Sequence, residues 1–142
     1  MTGDDITAVR RLIQEAFNEG RLETVDEVVA STFVGHDPAL PEPIHGIEAE
    51  KDLIAGYRRA FPDLSITIDE VIAEGDKVVT RWTARGTNLG DLWAIEPTGK
   101  AATVTGMSID RFEHGRIVEA WTNWDTLGLM QQLGVIPVTA GG

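Results

Sequence analysis

The stretch GRIVEAWTNWDTLGLMQQLGV, residues 115–135, decides how the whole chain is read. Its first half, residues 116–124, has the β-branched and aromatic content of a buried strand. The second half repeats Leu127, Met130 and Leu133 at helical spacing and stops at Gly134. Asp125 stands at the junction, where a carboxylate can accept from the free N–H groups that open a helix. A strand that runs straight into a helix with one apolar stripe needs other strands beside it and a layer for the helix to cover.

Those strands lie upstream. Leu64, Ile66 and Ile68 alternate with Ser65, Thr67 and Asp69, the two-residue period of a half-buried strand. The turn Glu74-Gly75-Asp76 leads into a strand over residues 77–86. Residues 101–112 form another, joined to the 116–124 strand through Glu113-His114-Gly115. Residues 87–100, with Gly90, Pro97 and Gly99, are expected to fold over an edge of the sheet.

Further upstream the period is helical. Ile6, Val9, Leu12, Ile13, Ala16 and Phe17 form one stripe, capped by Thr2 or Asp4 and ended by Gly20. Thr24 and Glu27 have capping-box spacing in a short helix that buries Val25, Val28 and Val29. Residues 31–45 hold Pro38, Pro41 and Pro43 and read as a stiff loop. A third helix follows Gly46, with Leu53, Ile54, Tyr57, Ala60 and Phe61 inward, until Pro62 stops it. Helices followed by a meander of strands make an α+β plan, a curved antiparallel or mixed sheet wrapped around the N-terminal helices. A single domain over residues 1–142 is expected, ordered over about 4–136, with a flexible tail VIPVTAGG.

Composition removes several function classes. No run of about 18 apolar residues is present to span a membrane, and the acidic N-terminus is unlike a signal peptide, so a cytoplasmic location is expected. A net charge of −11 opposes nucleic acid and anionic membrane surfaces. Without cysteine there is neither disulfide nor thiolate site, and His36, His45 and His114 lack metal-ligand spacing; no metal and no cofactor are expected.

The candidate residues are few. His36, beside Asp37, either lines a cavity mouth and moves protons near neutral pH or is a surface imidazole. Arg81 and Arg85 share a strand face opposite Trp82. Either that face meets solvent or a partner subunit, or Arg81 clamps an anion or carbonyl in the cavity. If the last hairpin closes at residues 113–115, Asp110 lies opposite about Val118, and Asp125 is roughly 23 Å further on, too far for a carboxylate dyad.

Taken in order, FPDLSITIDEVIAEGDKVVTRWTARGTNLG, PTGK and EAWTNWDTLGLMQQLG resemble the SnoaL-like polyketide cyclases, or ester cyclases, of the nuclear transport factor 2-like superfamily. The likeness runs over about residues 33–135. It implies an α+β cone with an internal hydrophobic pocket, a homodimer through the sheet and no cofactor. Characterised members close a polyketide ring by intramolecular aldol condensation, with a pocket aspartate as general acid/base. His36 and Asp37 match the family's histidine-aspartate pair, Glu119, Trp121 and Asp125 its E-x-W-x-x-x-D pattern, and Gln132-Leu133-Gly134 its ending. The family's catalytic aspartate falls at Thr122 and its pocket histidine at Ser108, while Asn88 stands where Gly-Thr-His is usual.

With 108 and 122 toward the cavity, alternation turns Gly106, Asp110, Ala120 and Trp124 inward and Trp121 outward. Asp110 is then the one carboxylate on that face, with a pKa raised by apolar walls. The expectation is acid/base chemistry of the aldol type on a small hydrophobic, carbonyl-bearing molecule. Asp110, His36 and Asp125 are the catalytic candidates, with Asp125 read first as a helix cap. Trp124, Thr122, Ser108, Arg81, Asn88 and Tyr57 are the ligand contacts. An epoxide hydrolase-like or other hydration or isomerisation enzyme of the same fold is one alternative. A non-catalytic small-ligand-binding or dimerisation module is the other.

Overall fold

Alternating sequence becomes strand and 3.6-period sequence becomes helix, in a computed structural model that describes residues 2–137. The helices are α1 (Thr2–Arg11), α2 (Glu23–Val28), α3 (Gly46–Ala60) and α4 (Thr126–Leu133). The strands are β1 (Val29–His36), β2 (Ile44–His45), β3 (Ser65–Glu74), β4 (Lys77–Thr87), β5 (Ala101–Glu113) and β6 (Arg116–Trp124). They make one six-stranded sheet in the order β2-β1-β6-β5-β4-β3, antiparallel except where β1 runs parallel to β6. The helices cover one face of this curved, open, mixed sheet, an α+β arrangement.

Residues 29–36 correct the reading of a loop from residue 31. The prolines begin at Pro38, so nothing forbids strand before them, and the β-branched Val28-Val29 and Val34 suit one. Phe33 and Gly35 turn inward and Ser31 and Thr32 outward. The capping box is also absent. Leu22 occupies the N-cap of α2 without a side-chain hydrogen bond, and Thr24 is buried, donating its hydroxyl to Glu15 at 2.7 Å. Asp4 lies in the first turn of α1, not before it. The Thr2 side chain and tail residues 138–142 lie outside the described residues.

Two bulges set which residues face inward. At Asp69 the β3 register slips, so Ile66 and Ile68 point inward before it and Val71 and Ala73 after it. At Val118 the β6 register slips, so Asp110 pairs with Ala120 and not with Val118. Asp125 is then five residues further along, roughly 17 Å at strand rise, in place of the expected 23 Å.

α1 continues as a π-helical segment, Leu12–Asn18, closed at its C-terminal end by the Arg58 guanidinium donating to the carbonyls of Phe17 at 2.7 Å and Asn18 at 2.9 Å. One buried cluster joins these helices to Val78, Phe112 and Ile117. A second joins Leu129, Met130 and Leu133 of α4 to Phe61, Ala84 and Val104. Residues 88–100 pack against the end of α3, since the Leu89 and Gly90 N–H groups donate to Ala60 O.

Gly106 sits where the Trp82 indole crosses β5, and an added Cβ would lie 2.6 Å from Trp82 Cη2 and 2.8 Å from Trp124 Cβ. Gly106→Ala is expected to cost about 1–3 kcal/mol by overpacking, read from denaturant melts. One residue beyond Trp124, the cross-strand partner of Gly106, Asp125→Ala should cost about 1 kcal/mol and Asp125→Asn a few tenths, because asparagine caps nearly as well. Equal losses for the two Asp125 variants would show that the cap is not what the side chain contributes.

Candidate functional site

Alternation along β4, β5 and β6 stacks rows of side chains on the concave face. Cross-strand pairing aligns Val78, Asp110 and Ala120 in one row, Thr80, Ser108 and Thr122 in the next, then Trp82, Gly106 and Trp124. Between this face and the helices lies a cavity of about 190 Å3. Its walls include Val9, Phe17, Phe33, Leu53, Phe61 and Ile117, with Trp82 and Trp124 on the sheet side.

The middle row is a chain of hydroxyls. Trp82 Nε1 donates to Ser108 Oγ at 3.1 Å, and Ser108 Oγ and Thr122 Oγ1 share a hydrogen bond of 3.1 Å. Thr80 Oγ1, fully buried beside them, has no partner among the described residues. Tyr57 Oη, reaching in from α3, is likewise buried without one. Burial raises the Tyr57 pKa, with added pressure from Asp37 and Glu50, so its hydroxyl stays protonated and can donate. The Tyr57 ring meets Trp124 edge-on at 6.3 Å and Trp93 at 6.5 Å.

Asp110 faces the cavity from the sheet and is 7% exposed. Burial alone raises its pKa to about 7. Glu50 faces it from α3 and is 8% exposed; burial, then the charge of Asp110, raises its pKa to about 7 as well. Glu50 escapes the sequence reading because its helix stripe is counted by apolar residues. Its spacing to Ile47, Ile54 and Tyr57 puts it on the same face, and an acid there is the signal. Thr80 is a second omission, hidden as an ordinary β-branched strand residue.

The other candidates divide. His36 lies at the cavity mouth, stacked on Trp121 at 5.7 Å, with Nε2 2.8 Å from Glu119 Oε2. That contact, followed by Arg111 at 3.2 Å, holds the Glu119 pKa below its usual value. Asp37 accepts from Trp124 Nε1 at 3.0 Å and so fixes the indole. Ser108, Thr122, Trp124 and Tyr57 line the cavity. Arg81 does not. It projects from the convex face, where Glu70 Oε1 at 3.3 Å and Asp69 Oδ2 at 3.8 Å neutralise it, because its parity is opposite to that of Trp82. Asn88 is also outside the lining. Fully buried, it ties its own loop by donating to Gly90 O at 2.8 Å and accepting from Thr98 N at 2.8 Å. Asp125 caps α4, accepting from Gly128 N at 2.9 Å. Among the described residues no three histidine, aspartate or glutamate side chains converge as metal ligands do. No helix there is long and apolar enough to cross a membrane.

Solved structures share this fold. A protein from Jannaschia sp. CCS1, described as a candidate SnoaL-like polyketide cyclase, superposes with a TM-score of 0.87 over 96% of this chain and 95% of its own, at 22% identity, a likeness of fold. TsrD from Streptomyces laurentii is 29% identical, with a TM-score of 0.86 over 96% of this chain and 98% of its own. IdmH from Streptomyces antibioticus, described as a candidate polyketide cyclase, is 33% identical, with a TM-score of 0.79 over 92% of this chain and 98% of its own. Comparison with curated proteins finds no match. The family model of the SnoaL-like polyketide cyclases matches residues 7–133, and the chain belongs to that family.

Proposed function

We propose that the chain is a small-molecule cyclase that works by acid/base chemistry, with Asp110 as the group that takes and returns the proton. The observation that carries this reading is a carboxyl buried in a cavity wall with no hydrogen-bond partner or cation among the described residues. A carboxyl whose pKa sits near 7 is divided between base and acid at neutral pH, the poise that general acid/base catalysis favours. The ligand is a hydrophobic molecule with an enolisable carbonyl. Trp82, Trp124 and Phe61 offer it flat apolar surface, and Thr80 and Tyr57 offer donors to its oxygens. Thr122 and Ser108, at the family's aspartate and histidine positions, are bonded to each other and supply hydroxyls in place of a titrating pair. Family membership and an unpartnered carboxyl on the sheet wall support Asp110 over Thr122 as the acid/base group.

We further propose that two copies pair through the convex face of the sheet. Ile72, Val79, Ile109 and Trp121 form one apolar row across β3 to β6, with Ile72 and Met107 each 57% exposed. Arg81 there is paired with Glu70 and Asp69, which offsets part of the acidic charge beside the apolar row. Sedimentation is expected to give a dimer that Met107→Glu dissociates; a monomer at micromolar concentration would sink the pairing.

β-Tetralone, an aromatic ketone of suitable size, tests the chemistry. The protein should speed exchange of its α-hydrogens in deuterium oxide, and Asp110→Asn should lower that rate about 10²–10⁴-fold. Asp125→Asn should leave it unchanged. A ligand that binds without exchange would favour the binding-module reading.

Stability supplies an independent check. Between the unfolded pKa near 4 and the folded value near 7, the native Asp110 keeps a proton that the unfolded chain has released. Its contribution to stability is therefore complete below the unfolded pKa and falls as pH rises through about 7. The melting temperature should decline from about pH 5 to about pH 8, and Asp110→Asn should flatten that decline. Identical slopes in the two proteins would mean that Asp110 is not held protonated.

A further inference from the structure

We propose that Glu50 is the second half of an acid/base pair with Asp110, the two carboxyls sharing one proton across the cavity and gripping a neutral, enolisable ketone or ester between them. This rests on the cyclase reading above and assigns its acid. Glu50 comes from the helical wall and Asp110 from the sheet wall of the same cavity, and among the described residues neither has a hydrogen bond or an ion pair. The other titratable groups lining the space are Tyr57, His36, Asp37 and Arg85. Tyr57 remains a neutral donor, His36 is engaged with Glu119 at the mouth, and Asp37 is engaged with Trp124. Arg85 is seven residues along β4 from Val78, the cross-strand partner of Asp110, or roughly 23 Å at strand rise. Among the described residues that line the cavity no cation is near enough to hold both carboxyls ionised, and two like charges in an apolar cavity keep one proton between them.

Thr80 supplies an independent pointer to a ligand. Its hydroxyl is 0% exposed, lines the cavity one row from Asp110, and has no partner among the described residues. A ligand oxygen at that spot would accept from Thr80 one row from Asp110, in the cavity that Glu50 also lines. With one proton between the two carboxyls, the productive arrangement has it on Glu50 and leaves Asp110 as the base. Asp110 takes the proton from the carbon next to the carbonyl while Glu50 gives its proton to the carbonyl oxygen, so the ligand becomes a neutral enol. The enol carbon then bonds to a second carbonyl carbon of the same molecule. Asp110 passes its proton to the new alkoxide oxygen, and the enol O–H proton returns to Glu50 as the first carbonyl re-forms. The product is a cyclic β-hydroxyketone isomeric with the substrate, and the pair again holds one proton. A carboxylate ligand adds a second negative charge to this space and is excluded.

Carbon NMR titration of the side-chain carboxyls in wild type, Glu50→Gln and Asp110→Asn tests the pair, alongside β-tetralone exchange. In wild type, both carboxyl signals should move in two steps at least about 2 pH units apart. Each variant should show a single step below the upper wild-type one. Glu50→Gln should lower the exchange rate at least about 10-fold. An Asp110 titration unchanged by Glu50→Gln overturns the shared proton. Coupled titrations with undiminished exchange in Glu50→Gln overturn the role of Glu50 as acid. Absence of exchange in the wild type defeats the cyclase reading and the acid role with it, while the titration still decides whether the proton is shared.

Discussion

The ladder between β5 and β6, with its extra residue at Val118, is the constraint on which the site depends. β6 is the strand that joins the helical half of the chain, through β1, to the meander, through β5. Ile117 must turn inward to reach the cluster beneath α1 and α2. Strict alternation from Ile117 would then send Glu119 and Trp121 into the cavity and Ala120, Thr122 and Trp124 out of it. The bulge reverses the parity once, so both ends of the strand satisfy their own environments. The network of His36, Glu119 and Arg111 stays on the outer side as a result, with its charges at least partly solvated.

Why the space inside stays open follows from side-chain size. Ala84, Gly86, Ala102, Gly106 and Ala120 occupy concave positions among the tryptophans, so no side chain crosses the middle. The π-helical turn, wider than an α-helical one, carries Leu12, Ile13 and Phe17 to the opposite wall. A buried cluster lies toward each end, one under α1 and α2, the other under α4. Asn18 also guards the outer strand. Its side chain pairs with both the N–H and the carbonyl of Ile66, occupying hydrogen-bonding positions that an exposed β3 edge would offer to another chain.

Much of this was legible from the chain. The helix after Asp125 and the β4–β5–β6 meander follow from periodicity and turns, while the inward parity of Ser108, Asp110, Thr122 and Trp124 rests on the family resemblance, extended by alternation. β1 was not legible, because its partner β6 is distant in sequence and the prolines behind it pull the loop boundary forward. Arg81 could not be oriented from spacing alone; its acidic partners on β3 decide the face. Asn88 reads like a ligand donor until its loop is folded, when each of its polar atoms is engaged at home. Glu50 was passed over for the reason that makes it informative: a helix stripe predicts a hydrocarbon where this chain keeps an acid.

The other acids of the chain make that contrast sharp. Asp63 accepts from the Thr87 N–H at 2.7 Å and hydroxyl at 2.8 Å, and those bonds lower its pKa. Glu15 accepts from Arg11 and Thr24, and its pKa is lowered too. Asp125 holds the first turn of α4. Asp63 and Glu15 are matched to donors that favour their charged forms, and Asp125 to the N–H that it caps. Asp110 and Glu50 have no such donors, and burial pushes both toward neutrality. A similar-sized apolar side chain at either place would suit the isolated fold better. Their presence, facing each other across a space that also holds the unbonded hydroxyls of Thr80 and Tyr57, makes sense when a ligand supplies the missing partners.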